Sequence, residues 1–338
     1  MKAKTRKPWL ALNAQTYLVL SLSIPVLFFL HLSIGPASKT VFSLLPSLIQ
    51  STDDELALIL LQIRLPRALL ALLIGMGLGL SGACLQNLFR NPLAEPGIIG
   101  VSGCAALGAT VVFYSGMSAW WSWSLPIAAI VGALMGVALL YLIAGFNHRL
   151  ETLILAGVAI NSLAGALTVL AHNLSPDPFA AYEMFFWLLG SLENRSMAHF
   201  VMAAPFIIAG SIFLFLVRRE LDVLVLGDDV ACSLGASLNR IRLGVIFGSA
   251  LIIGASVAVA GIIGFVGLIV PHICRQFVGT RTTPLMLSSA LAGGALLLLA
   301  DVATRAMDPA AELKLGVVTA LAGAPFFLFL VLRARQRD

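Results

Sequence analysis

Charge is scarce in this chain: Asp, Glu, Lys and Arg together make up 11% of its 338 residues, while hydrophobic residues make up 59%. An average soluble domain carries about 25% charged residues. So few polar groups cannot clothe a water-facing surface, which excludes an ordinary soluble enzyme or binding domain. Lysine is nearly absent; Lys2, Lys4, Lys7, Lys39 and Lys314 are the whole set. None stands in the G-x-x-x-x-G-K-[ST] setting that cradles a nucleotide's phosphates. HExxH, G-x-S-x-G and clustered Cys/His patterns are missing too, and with them the usual signs of hydrolase or metal chemistry. The four cysteines, Cys84, Cys104, Cys232 and Cys274, have no CxxC pair and read as small fillers or free thiols rather than a disulfide framework. The net charge of +5 does not point to nucleic acid, because the basic residues form no patch interleaved with aromatics. They sit between apolar runs.

Those runs dominate the chain. A bilayer core of about 30 Å is crossed by roughly 20 apolar residues in a helix, and backbone groups in lipid must be paired within the segment. Ten spans are predicted: 16–34, 65–89, 97–116, 125–146, 152–174, 200–217, 243–259, 261–274, 284–303 and 315–332. The fold class is therefore an all-α membrane protein, a polytopic bundle of about ten transmembrane helices. One of them, 261–274, is short enough to be a half-helix. The basic start of the chain resembles a signal peptide, but the run 16–34 is long for one and reads as an uncleaved first span. The whole chain, 1–338, reads as one transmembrane unit, with a cytoplasmic tail 1–15 and no separate soluble domain. With the N-terminus placed in the cytoplasm, fifteen of the 21 Lys and Arg residues fall on the inner side, in the direction of the positive-inside rule. Both termini are then cytoplasmic. The apolar, aromatic stretch 178–190 is predicted as an interfacial helix on the outer side, with Tyr182 and Trp187 at headgroup level.

Small residues recur every four positions in several spans: Gly75, Gly79 and Ala83; Gly100, Cys104 and Gly108; Gly316, Ala320 and Ala324. Such faces let helices approach closely in lipid. Arg64, Gly75, Gly82 and Arg90 are echoed by Arg242, Gly254, Gly261 and Arg275, in segments of opposite predicted direction, as in inverted repeats of transporters. On the fifth span Asn161, Gly165, Thr168 and His172 share one stripe. Polar groups in lipid are expected to face the bundle or a water-filled path, with helix–helix hydrogen bonding as the plainer reading. His172 alone, near a span end, reads as an interfacial histidine. Asp301 is the one acid inside a predicted span, near its outer end, which argues against ion coupling.

Several segments together carry a specific resemblance. They are Arg64-Leu-Pro-Arg67, Leu80-Ser-Gly-Ala83, Arg90-Asn-Pro-Leu-Ala-Glu-Pro-Gly97 with Gly100, and Leu226-Gly-Asp-Asp-Val-Ala-Cys-Ser-Leu-Gly235. After them come the stretch from Gly261 to Arg275, Asp301 with Arg305, and the stretch from Glu312 to Pro325. From Arg64 to Leu332 the chain resembles the permease family of bacterial iron-chelate (siderophore), haem and cobalamin ABC importers. Lys314 departs from the family, which has proline there.

The resemblance implies a ten-helix subunit of the bacterial inner membrane that pairs with a second copy, with the path at the dimer interface. Two ATPase subunits would dock beneath, and a periplasmic or lipoprotein binding protein would deliver cargo from above. No bond chemistry and no cofactor are expected in this chain; ATP and magnesium would belong to the partner ATPase. The cytoplasmic loop 218–242 matches the coupling segment, assigning Gly227, Asp228, Asp229, Ala231, Ser233, Leu234 and Gly235 to ATPase contact; the plainer reading is a solvated loop with a capped helix. Arg64, Arg67 and Arg305 match positions that pair with acids on the binding protein; the plainer reading is snorkelling, with Asp301 and Arg305 as an i,i+4 pair. The fifth and tenth helices line the path in the family, which places Asn161, Gly165, Thr168 and His172 along it, facing Thr319 and Gly323. An iron chelate is the expected cargo, cobalamin the alternative, and a stand-alone ion-coupled carrier the rival from another class.

Overall fold

A computed structural model describes residues 8–34, 58–121, 123–145, 150–175, 177–307 and 313–335. The basic residues at positions 2–7, Lys39, Arg149, Glu312 and Arg337 lie outside the described residues. The described chain is helical, with no strand. Its helices are α1 (Pro8–Ser33), α2 (Leu65–Leu88), α3 (Val101–Tyr114), α4 (Ser124–Ala144), α5 (Leu150–Asn173), α6 (Pro178–Leu188), α7 (Met197–Leu216), α8 (Arg218–Leu224), α9 (Asp228–Ser233), α10 (Leu238–Ala260), α11 (Val266–Val278), α12 (Thr282–Met307) and α13 (Leu315–Arg335). Eight are long and apolar enough to cross a membrane, and α3 and α11 are shorter apolar helices. A helix stands at each of the ten predicted spans, and α6 stands at the predicted helix 178–190.

One expectation needs correction: two helices are short, not one. The predicted span 97–116 begins with a single 3-10 turn at Pro96–Ile99. Gly100 follows at φ +77°, in the left-handed region that glycine enters without steric cost, and α3 starts only after it. The segment joining α2 to α3 does not stay at the end of the bundle. Pro96 packs against Gly267 beside the Leu78 carbonyl, about 15 Å along α2 from its Leu88 end. Residues 91–100 thus fold back into the bundle.

The centre is built by backbone contact. A side chain on Gly75 or Gly79 would run into the Gly293 and Ser289 carbonyls of α12, and one on Gly82 into the Gly267 carbonyl of α11. In lipid such close packing, rather than hydrophobic burial, holds helices together. The central helices α2 and α10 are mostly buried, whereas α1, α5 and α13 present wide apolar faces outward. Not every small-residue stripe is used for packing. Gly316 sits on the Leu189 and Ile262 carbonyls, but Ala320 and Ala324 line an open cavity.

The repeat suggested by the sequence has a structural form. Each of the long helices α2 and α10 leads into an irregular break and then a half-length helix. Their starts lie at opposite ends of the bundle, that of α2 near Asp301 and that of α10 near Asp228. Non-helical backbone at membrane depth is tolerated where it is buried or lines a cavity.

Candidate functional site: a cavity at two helix breaks

The two breaks meet. Phe265, at the start of α11, donates its backbone N–H to Glu95 Oε1 at 2.6 Å. Phe265 lies at φ +66°, a region costly for a bulky side chain and held only by its surroundings. Its ring occupies the space that a side chain on Gly323 of α13 would need.

Beside this junction lies a cavity of about 490 Å³, walled by Glu95 and Ser102 on one side and by Asn161, Ser162, Gly165 and Thr168 of α5 on the other. Three of the stripe residues predicted on α5 therefore do share a water-accessible wall. Thr168 spends its hydroxyl proton on the Ala164 carbonyl at 2.9 Å, and Gly165 has open space before it. His172 is not part of the wall. Its Nδ1 shares a 2.6 Å hydrogen bond with the Tyr114 hydroxyl, as suits an interfacial histidine. A second cavity, of about 620 Å³, lies along α13, where Val317, Ala320, Leu321 and Ala324 form the wall. Thr319 and Gly323 do not. Thr319 is buried and donates to the Gly316 carbonyl at 3.0 Å, and Gly323 faces Phe265. One residue along a helix rotates the side chain by about 100°, so Thr319 and Gly323 stand one step away from the residues that line this cavity.

Glu95 was absent from the predicted path residues. Its apparent place in a loop concealed it, although Pro92, Pro96, Gly97 and Gly100 around one acid, directly before an apolar run, are the mark of a segment that turns back.

At one end of the bundle the fully buried Asp301 carboxylate gathers three side-chain partners. Arg67 binds it in a fork, Nε to Oδ2 at 2.8 Å and Nη2 to Oδ1 at 2.9 Å. His31 of α1 donates from Nε2 to Oδ2 at 2.8 Å, and Arg305 Nε stands 3.4 Å from Oδ2. Arg305 also caps the end of α1 through the Ile34 and His31 carbonyls, and Arg64 donates to the Leu32 carbonyl at 2.9 Å. The predicted i,i+4 pair is real but is one part of a larger cluster, and all three arginines are directed inward. Lys314, the departure from the family pattern, stands 3.3 Å from Glu193. An ion pair to the segment after α6 takes the place of proline at the start of α13.

At the other end, the loop 218–242 folds as two short helices, α8 and α9. Asp222 accepts the Thr282 N–H at 2.6 Å and so caps α12. Asp228, in the first turn of α9, pairs with Arg90 and with Arg242 at 3.1 Å. Val230 of α9 and Leu234 just past its end are exposed, beside exposed Asp229, Cys232 and Ser233. Arg275 at the end of α11 donates to Gln86 and Asn87 of α2. Cys84, Cys104 and Cys274 are buried free thiols, and Cys232 is exposed. No group of three His, Cys, Asp or Glu among the described residues is placed to hold a metal ion.

The comparisons with known proteins agree with this architecture. Residues 23–333 match the FecCD transport family. The chain belongs to the FecCD transport family. Similar curated proteins include the hemin transport system permease protein HmuU of Yersinia pestis, 38% identical over 85% of this chain and 87% of that one. The vitamin B12 import system permease protein BtuC of Vibrio cholerae is 38% identical over 94% and 93%. The Fe(3+)-citrate import system permease protein YfmE of Bacillus subtilis is 34% identical over 98% of each. Among solved structures, an inward-facing metal-chelate type ABC transporter superposes with a TM-score of 0.85 at 32% identity, covering 95% of this chain and 99% of that one. As a FecCD member the chain is a multi-pass membrane permease subunit of the ABC importer class.

Proposed function

We propose that this FecCD subunit moves an iron chelate, a ferric siderophore or haem, from periplasm to cytoplasm in an ATP-driven importer. The observation that carries the reading is the cavity of about 490 Å³, mostly apolar but with Glu95, Asn161 and Thr168 in its wall, beside the breaks that precede two half-length helices, the arrangement by which transporters place a binding path at membrane depth. Asn161, Gly165 and Thr168 line the path; cargo passes between two copies of the subunit. Two ATPase subunits dock on α9 and its flanks, residues 227–235, because that segment presents the exposed apolar side chains Val230 and Leu234 beside a charge-paired Asp228. Both termini lie on that cytoplasmic side. A substrate-binding protein docks at the Asp301 end, where Arg67 and Arg305 flank the Asp301 carboxylate and Arg64 holds the end of α1 through the Leu32 carbonyl. Cobalamin is the second reading, favoured by the similarity to the vitamin B12 permease.

The test is uptake into vesicles by the subunit reconstituted with its ATPase and binding protein, with haem, a ferric hydroxamate and cobalamin as separate cargoes. ATP-dependent uptake of an iron chelate supports the reading, cobalamin alone supports the second, and uptake by the isolated chain would replace both with an ion-coupled carrier. Gly165→Phe, which fills open space, is expected to abolish uptake while moving Tm by no more than about 3 °C. Undiminished uptake would remove α5 from the path.

A further inference from the structure

We infer that residues 90–100 act as a strut that carries movement of α9 to the helix break at Phe265, with Arg90 and Glu95 as its two positioning residues; this rests on α9 being the ATPase contact. The strut is joined to a neighbouring element at each end. At the first, the Arg90 guanidinium pairs with Asp228 of α9. Arg90 sits at φ +49°, a backbone state that a non-glycine residue keeps only when its surroundings impose it. At the second, the Glu95 carboxylate takes the Phe265 N–H at 2.6 Å. The Phe265 ring lies against Gly323, so this joint also touches α13.

The body between the joints is stiff. Pro92 and Pro96 fix their own φ. The Asn91 N–H is held by the Gln86 carbonyl at 3.0 Å, the Ala94 N–H by the Asn91 carbonyl at 3.1 Å, and the Leu93 N–H by Asn91 Oδ1 at 2.9 Å. Its far end is locked by Pro96 against Gly267 of α11. A displacement of Asp228 therefore has little slack to be absorbed before it reaches Glu95, and coupling between sites needs such a contiguous, rigid connection. Glu95 also faces the cavity, so the second joint and the path wall are one piece. When α9 moves, the Phe265 ring and the cavity wall move with it.

The prediction is read by hydrogen–deuterium exchange on the purified full-length subunit in lipid nanodiscs, with no ATPase present. Glu95→Gln weakens a charge-assisted hydrogen bond to the Phe265 amide, and exchange in the peptide covering 261–268 is expected to rise about tenfold. Arg90→Gln, at the remote joint, is expected to raise exchange at the same peptide, and the double variant to go no further than Glu95→Gln alone, since both open one connection. Arg90→Lys keeps the pair with Asp228 and is expected to restore protection. Should Arg90→Gln not fold, Asp228→Asn cuts the same joint from the other side. Faster exchange confined to residues 227–235 in these remote variants, with 261–268 unchanged, overturns the strut. Because the subunit is read alone, failure to find an ATPase partner would refute the import reading and leave the exchange result standing.

Discussion

Asp301→Ala is expected to lower stability by about 3–5 kcal/mol, the range measured when one partner of a buried ion pair is removed. The size follows from what the carboxylate holds. Asp301 is fully buried and is the acceptor for the Arg67 fork, for His31 and for Arg305. Without it, the Arg67 and Arg305 guanidinium groups remain together with no other acid beside them among the described residues, and their mutual repulsion adds to the loss. The contact between α1 and α12 runs through this cluster, so α1 should loosen first. Asp301→Asn keeps the shape and one acceptor but not the charge, and should fall between. Thermal unfolding in detergent, with proteolysis of the α1 end as a local readout, checks both. A loss below about 1 kcal/mol for Asp301→Ala would mean that the arginines find other partners, as surface pairs do.

Gly82→Val is expected to cost at least about 3 kcal/mol, the upper range for overpacking a close-packed interior. A Cβ on Gly82 meets the backbone of Gly267, its carbonyl oxygen, carbon and Cα alike, rather than a side chain that could turn aside. Relief would require α2 and α11 to separate. That separation would lift Pro96 from Gly267 and strain the joint at Phe265, so the damage reaches the cavity. Gly165→Ala is the control: nothing lies within 4 Å of its Cβ position, and its effect is expected within about 0.5 kcal/mol. Melting temperatures of the two variants in one detergent decide it. Equal values would show that α2 and α11 are not in backbone contact.

The bundle was legible because apolar run length and charge placement are one-dimensional properties. The half-helix α11 was visible in the brevity of 261–274. The second half-helix was hidden because 97–116 is apolar throughout, and the break depends on Pro96 together with one left-handed glycine, Gly100. The stripe of Asn161, Gly165 and Thr168 was legible through helical periodicity. The face of α13 was not, because its orientation is set by Phe265 and the segment after α6, contacts that no local pattern encodes. The Asp301–Arg305 pair could be read at i,i+4. His31 meets Asp301 across 270 positions, and Glu95 meets Phe265 across 170; only the folded chain brings them together.

The central claim is that energy enters through a separate subunit docked on α9. Purification of the tagged chain from its native membranes in mild detergent, with stoichiometric partners identified by mass spectrometry, tests it most directly. The predicted result is co-purification of an ATPase bearing the nucleotide loop this chain lacks, with that ATPase lost when Val230 and Leu234 are replaced by Asp. A clean homo-oligomer without any ATPase, from membranes where residues 227–235 are intact, would contradict it.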